Sequence, residues 1–409
     1  MTTLRKYFFF LLFIVVFFLT EQTALAAGTS VILGDMRTEK YLPMLTGKRV
    51  ALFCNHTAKI GNDHLLDVLL KAGQQVTALF SSEHGIRGDI PAGAPVDSGK
   101  DSKTGIPIVS LYNKDTVMPA EEDMETFDIL VIDIQDVGLR YYTYYIAVCN
   151  LIEACSVYDK EVILLDRPNP NGHYVDGPIL DMSLKSHIGR LPIPTVHGMT
   201  LGELANMAIG EGWLNLPNNP KFIVIPCLNY THQTPYTLPI PPSPNLPNMK
   251  SVYLYVSLCP FEGTEVSVGR GTRYPFQCFG APALKKYYRY KFTPKSLKTA
   301  PKPPFLGEVC YGVDFHREKD FKLRAKGMDL SHVVEAYKAF QEQGLGDKFF
   351  MKFKTESGKE VEIFDLLMGQ AYVREAILAG KSATEISAMW QEDVKRFKEQ
   401  RRPYLLYAE

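Results

Sequence analysis

The run Val76-Thr77-Ala78-Leu79-Phe80 is followed by Ser81-Ser82-Glu83-His84-Gly85-Ile86-Arg87-Gly88-Asp89. The first five residues read as a buried strand. The next nine set an acid, a base and a cation on one tight, glycine-flanked loop. A buried strand does not require such a loop. A site at the carboxyl edge of a parallel sheet does, because ligands of open α/β sheets sit there.

The same alternation continues on both sides of this stretch. Lys48–Cys54, Phe127–Ile134, Glu161–Leu165 and Phe222–Pro226 are further apolar, strand-like runs. Helical spacing appears over 64–72, with Leu65, Leu66, Leu69 and Leu70 on one face, and again over 143–158. Thr200 with Glu203 forms a capping box before a helix at 201–209. Strands and helices in this order predict an α/β fold, a doubly wound and mostly parallel sheet. Residues 234–249 carry six prolines and read as an extended crossover. Beyond it, 252–258 reads as a strand, 295–304 as a surface loop, and 363–379 and 384–399 as helices.

Polar residues collect where the strands end. Asn55, His56 and Thr57 follow the first strand. Gln135, Asp136, Gly138, Arg140 and the cluster Tyr141, Tyr142, Thr143 follow the run FDILVIDI. Asp166, Arg167 and Asn169 follow Glu161–Leu165. With Glu83 and His84, all four loops face one edge and predict a polar cleft. Each part also has a plainer reading: Asp166 as a turn cap, His84 as a loop tie, the tyrosines as core wall. The later segment Phe261–Arg273 (FEGTEVSVGRGTR) adds Glu262, Arg270 and Arg273, which read either as a hairpin with surface arginines or as an anion clamp.

The bulk composition excludes several classes. Forty-five basic and 45 acidic residues cancel, so no global field favours nucleic acid or anionic lipid. Cys54–Gly61 (CNHTAKIG) is not a dinucleotide fingerprint, and there is no P-loop or GxSxG elbow. His56, His84, His173 and His197 lack metal-ligand spacing, and no metal or cofactor is expected. The seven cysteines are odd in number and sit in apolar runs, so buried free thiols are expected, with room for one bridge. Arg5 and Lys6, the 12-residue apolar run Phe8–Leu19 and Ala24-Leu25-Ala26 form a signal-peptide pattern. The expected division is a signal peptide at 1–26, a Rossmann-like catalytic domain at 27–245 and a smaller C-terminal α+β domain at 246–409. The mature chain is expected to be exported, to the periplasm or beyond.

SSEHGIRGD, DIQDVGLRYYTY, LLDRPNPNG, TVHGMTLGELA, PPSPNLP and FEGTEVSVGRGT, taken together and in this order, resemble the exo-β-N-acetylmuramidases of the NamZ type, glycoside hydrolase family 171. The resemblance spans nearly all of the mature chain. It implies a Rossmann-like domain and a smaller domain with the active site in the cleft between them. It implies release of N-acetylmuramic acid from the non-reducing end of peptidoglycan fragments. Partners would be peptidoglycan-derived saccharides, with no nucleic acid, no cofactor and no membrane contact after signal cleavage. The catalytic glutamate of the family corresponds to Glu83. His84, Asp136 and Glu262 would assist it. Asn55, Arg87, Gln135, Arg140, Tyr142, Asp166, Arg167, Asn169, His197, Arg270 and Arg273 would bind substrate, the arginines holding the lactyl carboxylate. Glu265 departs from the family pattern, which has Asn there. Two carboxylates about 5–5.5 Å apart would give retention and about 6.5–9.5 Å inversion, and the substrate's own acetamido group is a third possible nucleophile. Other readings are a non-catalytic muropeptide-binding protein and a different envelope hydrolase, an esterase or amidase.

Overall fold

The computed structural model describes residues 30–81, 85–86, 99–111, 118–354, 358 and 360–409. The signal-peptide pattern and Glu83, His84 and Arg87 lie outside the described residues. Seven strands form one sheet: β1 Arg49–Cys54, β2 Gln75–Ser81, β3 Gly99–Lys100, β4 Pro107–Ser110, β5 Ile129–Asp133, β6 Glu161–Leu165 and β7 Lys221–Ile225. Their order is β7-β6-β5-β1-β2-β4-β3. Neighbours are parallel throughout, except that β3 runs antiparallel to β4.

Alternate residues of the central strands serve two cores, as the period of a strand requires. Ala51, Phe53, Leu130, Ile132 and Leu164 pack into one face. Val50, Leu52, Ile129, Val131 and Leu165 pack into the other. Burial on both faces explains why these strands are continuously apolar rather than alternating. The chain builds β1, β2 and β4 outward on one side, then returns to lay β5, β6 and β7 on the other. The strand order therefore reverses between β1 and β5, a switch point of the kind at which open α/β sheets bind their ligands.

The C-terminal region is α+β. It holds a three-stranded antiparallel sheet of Cys278–Ala281, Cys310–Asp314 and Tyr290–Phe292, with helices that include Ser331–Gln341, Ile363–Met368, Ala371–Leu378 and Gln391–Arg401. Three local expectations need correction. The expected strand at 252–258 is the helix Met249–Leu258, capped by Asn248 with Ser251. Val252, Tyr253, Leu254, Tyr255, Val256 and Leu258 are all buried there, so no polar stripe marks it as a helix. The expected helix at 363–379 breaks at Gly369, where φ is +71°. The one expected at 384–399 breaks at Trp390, which is buried and donates from Nε1 to Asp176 at 2.8 Å. The helix Thr38–Leu45 and strand β4 are elements that the sequence pattern did not reveal. All seven cysteines are buried, and none is joined in a disulfide. Among the described residues no helix is long and apolar enough to cross a membrane.

Candidate active site

The loops after β1 and β5 meet at the switch point and are tied together. Asn55 Oδ1 accepts from Thr57 N (2.9 Å) and Thr57 Oγ1 (2.6 Å), and Asn55 Nδ2 donates to the Tyr144 hydroxyl at 3.3 Å. Gln135 N donates to Thr57 Oγ1 at 3.3 Å, and Gln135 Nε2 donates to the carbonyls of Asp136 and Pro168 at 2.8 and 2.9 Å. Asn55 and Gln135 thus spend their polar atoms on shaping the loops.

Asp136 differs from them. Its side chain is buried, and Oδ1 accepts from Gly138 N at 2.6 Å. Its Oδ2 is buried with no hydrogen-bond partner among the described residues. Burial disfavours the carboxylate and lifts the group to about 7. Gly138 makes this turn possible, with φ of +76° and no space for a side chain: a Cβ would stand 2.1 Å from Asn169 Nδ2. Asn169 is fixed there, donating from Nδ2 to Met199 O at 2.8 Å and accepting from Asn171 N at 2.8 Å.

The loop after β6 is polar for internal reasons. Asp166 accepts from Thr200 Oγ1 (2.7 Å), Gly202 N (3.0 Å) and the Tyr407 hydroxyl (2.7 Å). Burial lifts it to about 6, partly offset by the Tyr407 and Thr200 bonds. Arg167 donates to Asp133 Oδ1 at 2.5 Å and to Asp35 Oδ2 at 2.6 Å, in a triad that is buried throughout. His197 accepts from Met199 N at Nδ1 (3.3 Å), and burial holds it neutral by lowering it to about 3. Arg140 is fully buried and donates from Nη2 to the carbonyls of Leu367 (3.1 Å) and Met368 (2.8 Å). Burial lowers it to about 10, so it stays charged at neutral pH. Loops buried this deeply must pair their own polar groups, and Asp166, Arg167 and Asn169 do so, while Arg140 donates from Nη2 alone.

A wall of rings leads away from Asp136. Tyr142 donates to Pro242 O at 2.9 Å, and His56 Nε2 lies 2.8 Å from Pro241 O, so the proline segment is fastened to this edge. The Tyr142 ring meets Tyr144 at 4.8 Å and Tyr255 at 6.3 Å, both edge-on. Tyr255 meets Phe276 at 4.8 Å, and the Arg270 guanidinium lies 5.0 Å from the Phe276 centroid. Arg270 Nε and Nη2 pair with Glu262 Oε1 and Oε2 at 2.5 and 3.2 Å. Both side chains of this pair stay partly open, 22% and 29% exposed.

The structure therefore groups Asp136, Tyr142, Glu262 and Arg270 along one aromatic run. It keeps Arg140, Asp166, Arg167 and His197 in interior networks, and Arg273 is exposed. Glu265 lines a cavity of about 870 Å³ whose walls include Phe340, Phe350 and Lys348 but neither Glu262 nor Arg270. Sequence reasoning missed Tyr255 and Phe276, which link the two groups, because 252–258 read as a strand. It also missed Asp35 and Asp133, the partners of Arg167. Among the described residues no three His, Cys, Asp or Glu side chains are grouped to hold a metal ion.

Comparison with known proteins adds family relationships. The N-terminal family model of the exo-beta-N-acetylmuramidase NamZ matches residues 50–250, and the C-terminal model matches 253–407. The peptidoglycan beta-N-acetylmuramidase NamZ of Bacillus subtilis (strain 168) is 33% identical over 390 residues, covering 90% of this chain and 89% of that protein. Two crystal structures of DUF1343 family proteins from Bacteroides fragilis share the fold. One has a TM-score of 0.84 at 53% identity, covering 93% of this chain and all of the other. The second has a TM-score of 0.76 at 26% identity, covering 92% and 99%.

Proposed function

Because this chain belongs to the family of the exo-β-N-acetylmuramidase NamZ, we propose that it is a glycoside hydrolase acting on N-acetylmuramic acid. It cuts the β-glycosidic bond of that sugar at the non-reducing end of peptidoglycan fragments. The observation that carries this reading is Asp136: a buried carboxyl group, lifted to about 7, with one oxygen that has no partner among the described residues, at the switch point of the sheet. Glycoside cleavage uses carboxyl groups in two protonation states, and environments that push them apart assign the roles.

In this scheme Glu83, two residues beyond the end of β2, protonates the leaving oxygen. His84 assists it. Asp136, protonated below about pH 7, donates a hydrogen bond from Oδ2 to a substrate oxygen. The rings of Tyr142 and Tyr255 exclude water. Arg270 gives Nε and Nη2 to Glu262 and keeps Nη1 for the lactyl carboxylate. Residues 1–26 direct export, the cleaved chain works in the periplasm, and the two regions meet near residues 245–246. The wild-type protein is expected to release chromophore from a chromogenic β-glycoside of N-acetylmuramic acid, and Glu83→Gln to lose at least a hundredfold in kcat. No release by wild type sinks the activity. Full activity in Glu83→Gln sinks the role of Glu83. N-terminal sequencing of the protein recovered from cell fractions checks the export step.

A further inference from the structure

One cluster outside the aromatic run has no task in the scheme above. The ring of Tyr274 lies flat on the ring of His316, with centroids 4.6 Å apart and planes 16° apart. His316 Nδ1 lies 2.5 Å from Asp314 Oδ2 and 2.6 Å from Oδ1, and the His316 backbone N–H donates to Asp314 Oδ1 at 2.9 Å. A carboxylate on Nδ1 fixes both the tautomer and the orientation of an imidazole. The base of the cluster is equally fixed. Asp314 ends a strand and pairs with Cys278, and Phe315 N donates to Gln277 O at 2.8 Å.

Tyr274 is held from its own side as well. Its N–H donates to Thr272 Oγ1 at 3.0 Å, and its carbonyl accepts from Gln277 N at 3.0 Å. The residue is nevertheless 36% exposed. One ring face is taken by the imidazole, so a ligand ring can stack only on the other. A tyrosine so braced loses little freedom on binding, and preorganisation of this kind is what raises affinity for a flat apolar surface. The CH face of a pyranose is such a surface, and two exposed arginines, Arg273 and Arg317, stand next in sequence to Tyr274 and His316.

The platform adjoins the candidate site along one loop. Gly269 packs against Tyr274 so closely that a Cβ there would stand 2.8 Å from the Tyr274 carbonyl oxygen. The next residue is Arg270, which pairs with Glu262, and Phe276 follows Tyr274 by two positions and carries the Arg270 guanidinium on its ring. We propose that Tyr274, backed by His316 and Asp314, is a saccharide-stacking subsite for an N-acetylated hexopyranose of the glycan beyond the bond that is cut. The proposal rests on the muramidase reading of the site, and extends it to the neighbouring sugar.

Two measurements test it. The first compares a glycan of four alternating sugars with a chromogenic glycoside of a single N-acetylmuramic acid. In Tyr274→Ala the ratio of kcat/KM for glycan over monosaccharide glycoside is expected to fall about tenfold, through KM. Tyr274→Phe keeps the ring and is expected to keep the ratio. An unchanged ratio in Tyr274→Ala overturns the subsite. The second measurement is independent of hydrolysis: calorimetric titration of the full chain with an N-acetylglucosamine tetramer. Binding by wild type that is lost in Tyr274→Ala supports the subsite even if no glycoside is cleaved. Equal binding by both proteins, or none by wild type, overturns it.

Discussion

The guanidinium of Arg140 fills the space that a side chain on Gly369 would occupy. A Cβ at residue 369 would stand 2.6 Å from Arg140 Nη1, and the backbone there is left-handed with φ of +71°. From this place Arg140 donates to the orphan carbonyls of Leu367 and Met368, at the end of the helix Ile363–Met368. Gly369→Ala is expected to cost about 2–4 kcal/mol, from the left-handed backbone and the overlap together. Arg140→Lys, which loses the planar fork that serves both carbonyls, is expected to cost about 2 kcal/mol. Urea unfolding of the two variants checks both values.

Asp136 gives a pH signature with a definite sign. Its proton is held more tightly folded than unfolded, because burial raises the group from 3.8 to about 7. Its contribution to stability is therefore greatest below about pH 4 and declines as pH rises through 7. Asp166 and Asp35, both raised by burial, act in the same direction. Asp136→Asn is expected to flatten part of the fall in Tm between pH 5 and 8, measured by calorimetry. In activity, kcat/KM of the wild type is expected to drop above pH 7. Asp136→Asn, which keeps a donor at that position, should lose this limb and retain about a tenth of the activity.

The Glu262–Arg270 pair predicts selectivity. Arg270→Lys keeps the charge but loses the planar fork. It is expected to raise KM about tenfold for a glycoside of N-acetylmuramic acid, and much less for the N-acetylglucosamine analogue that lacks the lactyl carboxylate. Equal losses on both glycosides would separate Arg270 from carboxylate recognition.

The cysteines predict an all-or-none thiol titration. All seven are buried, and burial lifts Cys149, Cys155, Cys278 and Cys310 to about 12. Thiolate is the reactive form. The native protein is expected to leave a disulfide-exchange reagent almost untouched, and the denatured protein to consume seven equivalents. Fewer than seven on denaturation would reveal a bridge.

The sheet was legible because strands covered on both faces must be continuously apolar, as β1, β5 and β6 are. The helix Leu201–Gly210 was legible because Thr200 and Glu203 announce its start. The helix Met249–Leu258 was not, because burial on all sides erased its period. The same physics divided the candidate site. Polar strand ends marked the right edge of the sheet but did not reveal which groups face inward. Arg167 looked like a ligand clamp, yet its partner Asp35 lies 132 residues away in sequence, a pairing only the fold creates. Asp136 was a candidate from the sequence, and the structure set it apart by an oxygen with no partner among the described residues.

The bond from Tyr407 to Asp166 joins residues 241 positions apart. Glu203 adds to the same seam, accepting from Leu406 N at 2.7 Å and from His232 Nε2 at 3.1 Å. The ribosome therefore delivers two buried carboxyl groups of the α/β half long before it delivers the segment that satisfies them. Until residue 407 has emerged, Asp166 and Glu203 have only their earlier partners, Thr200, Gly202 and His232. The last residues of the chain therefore complete the interior of the α/β half.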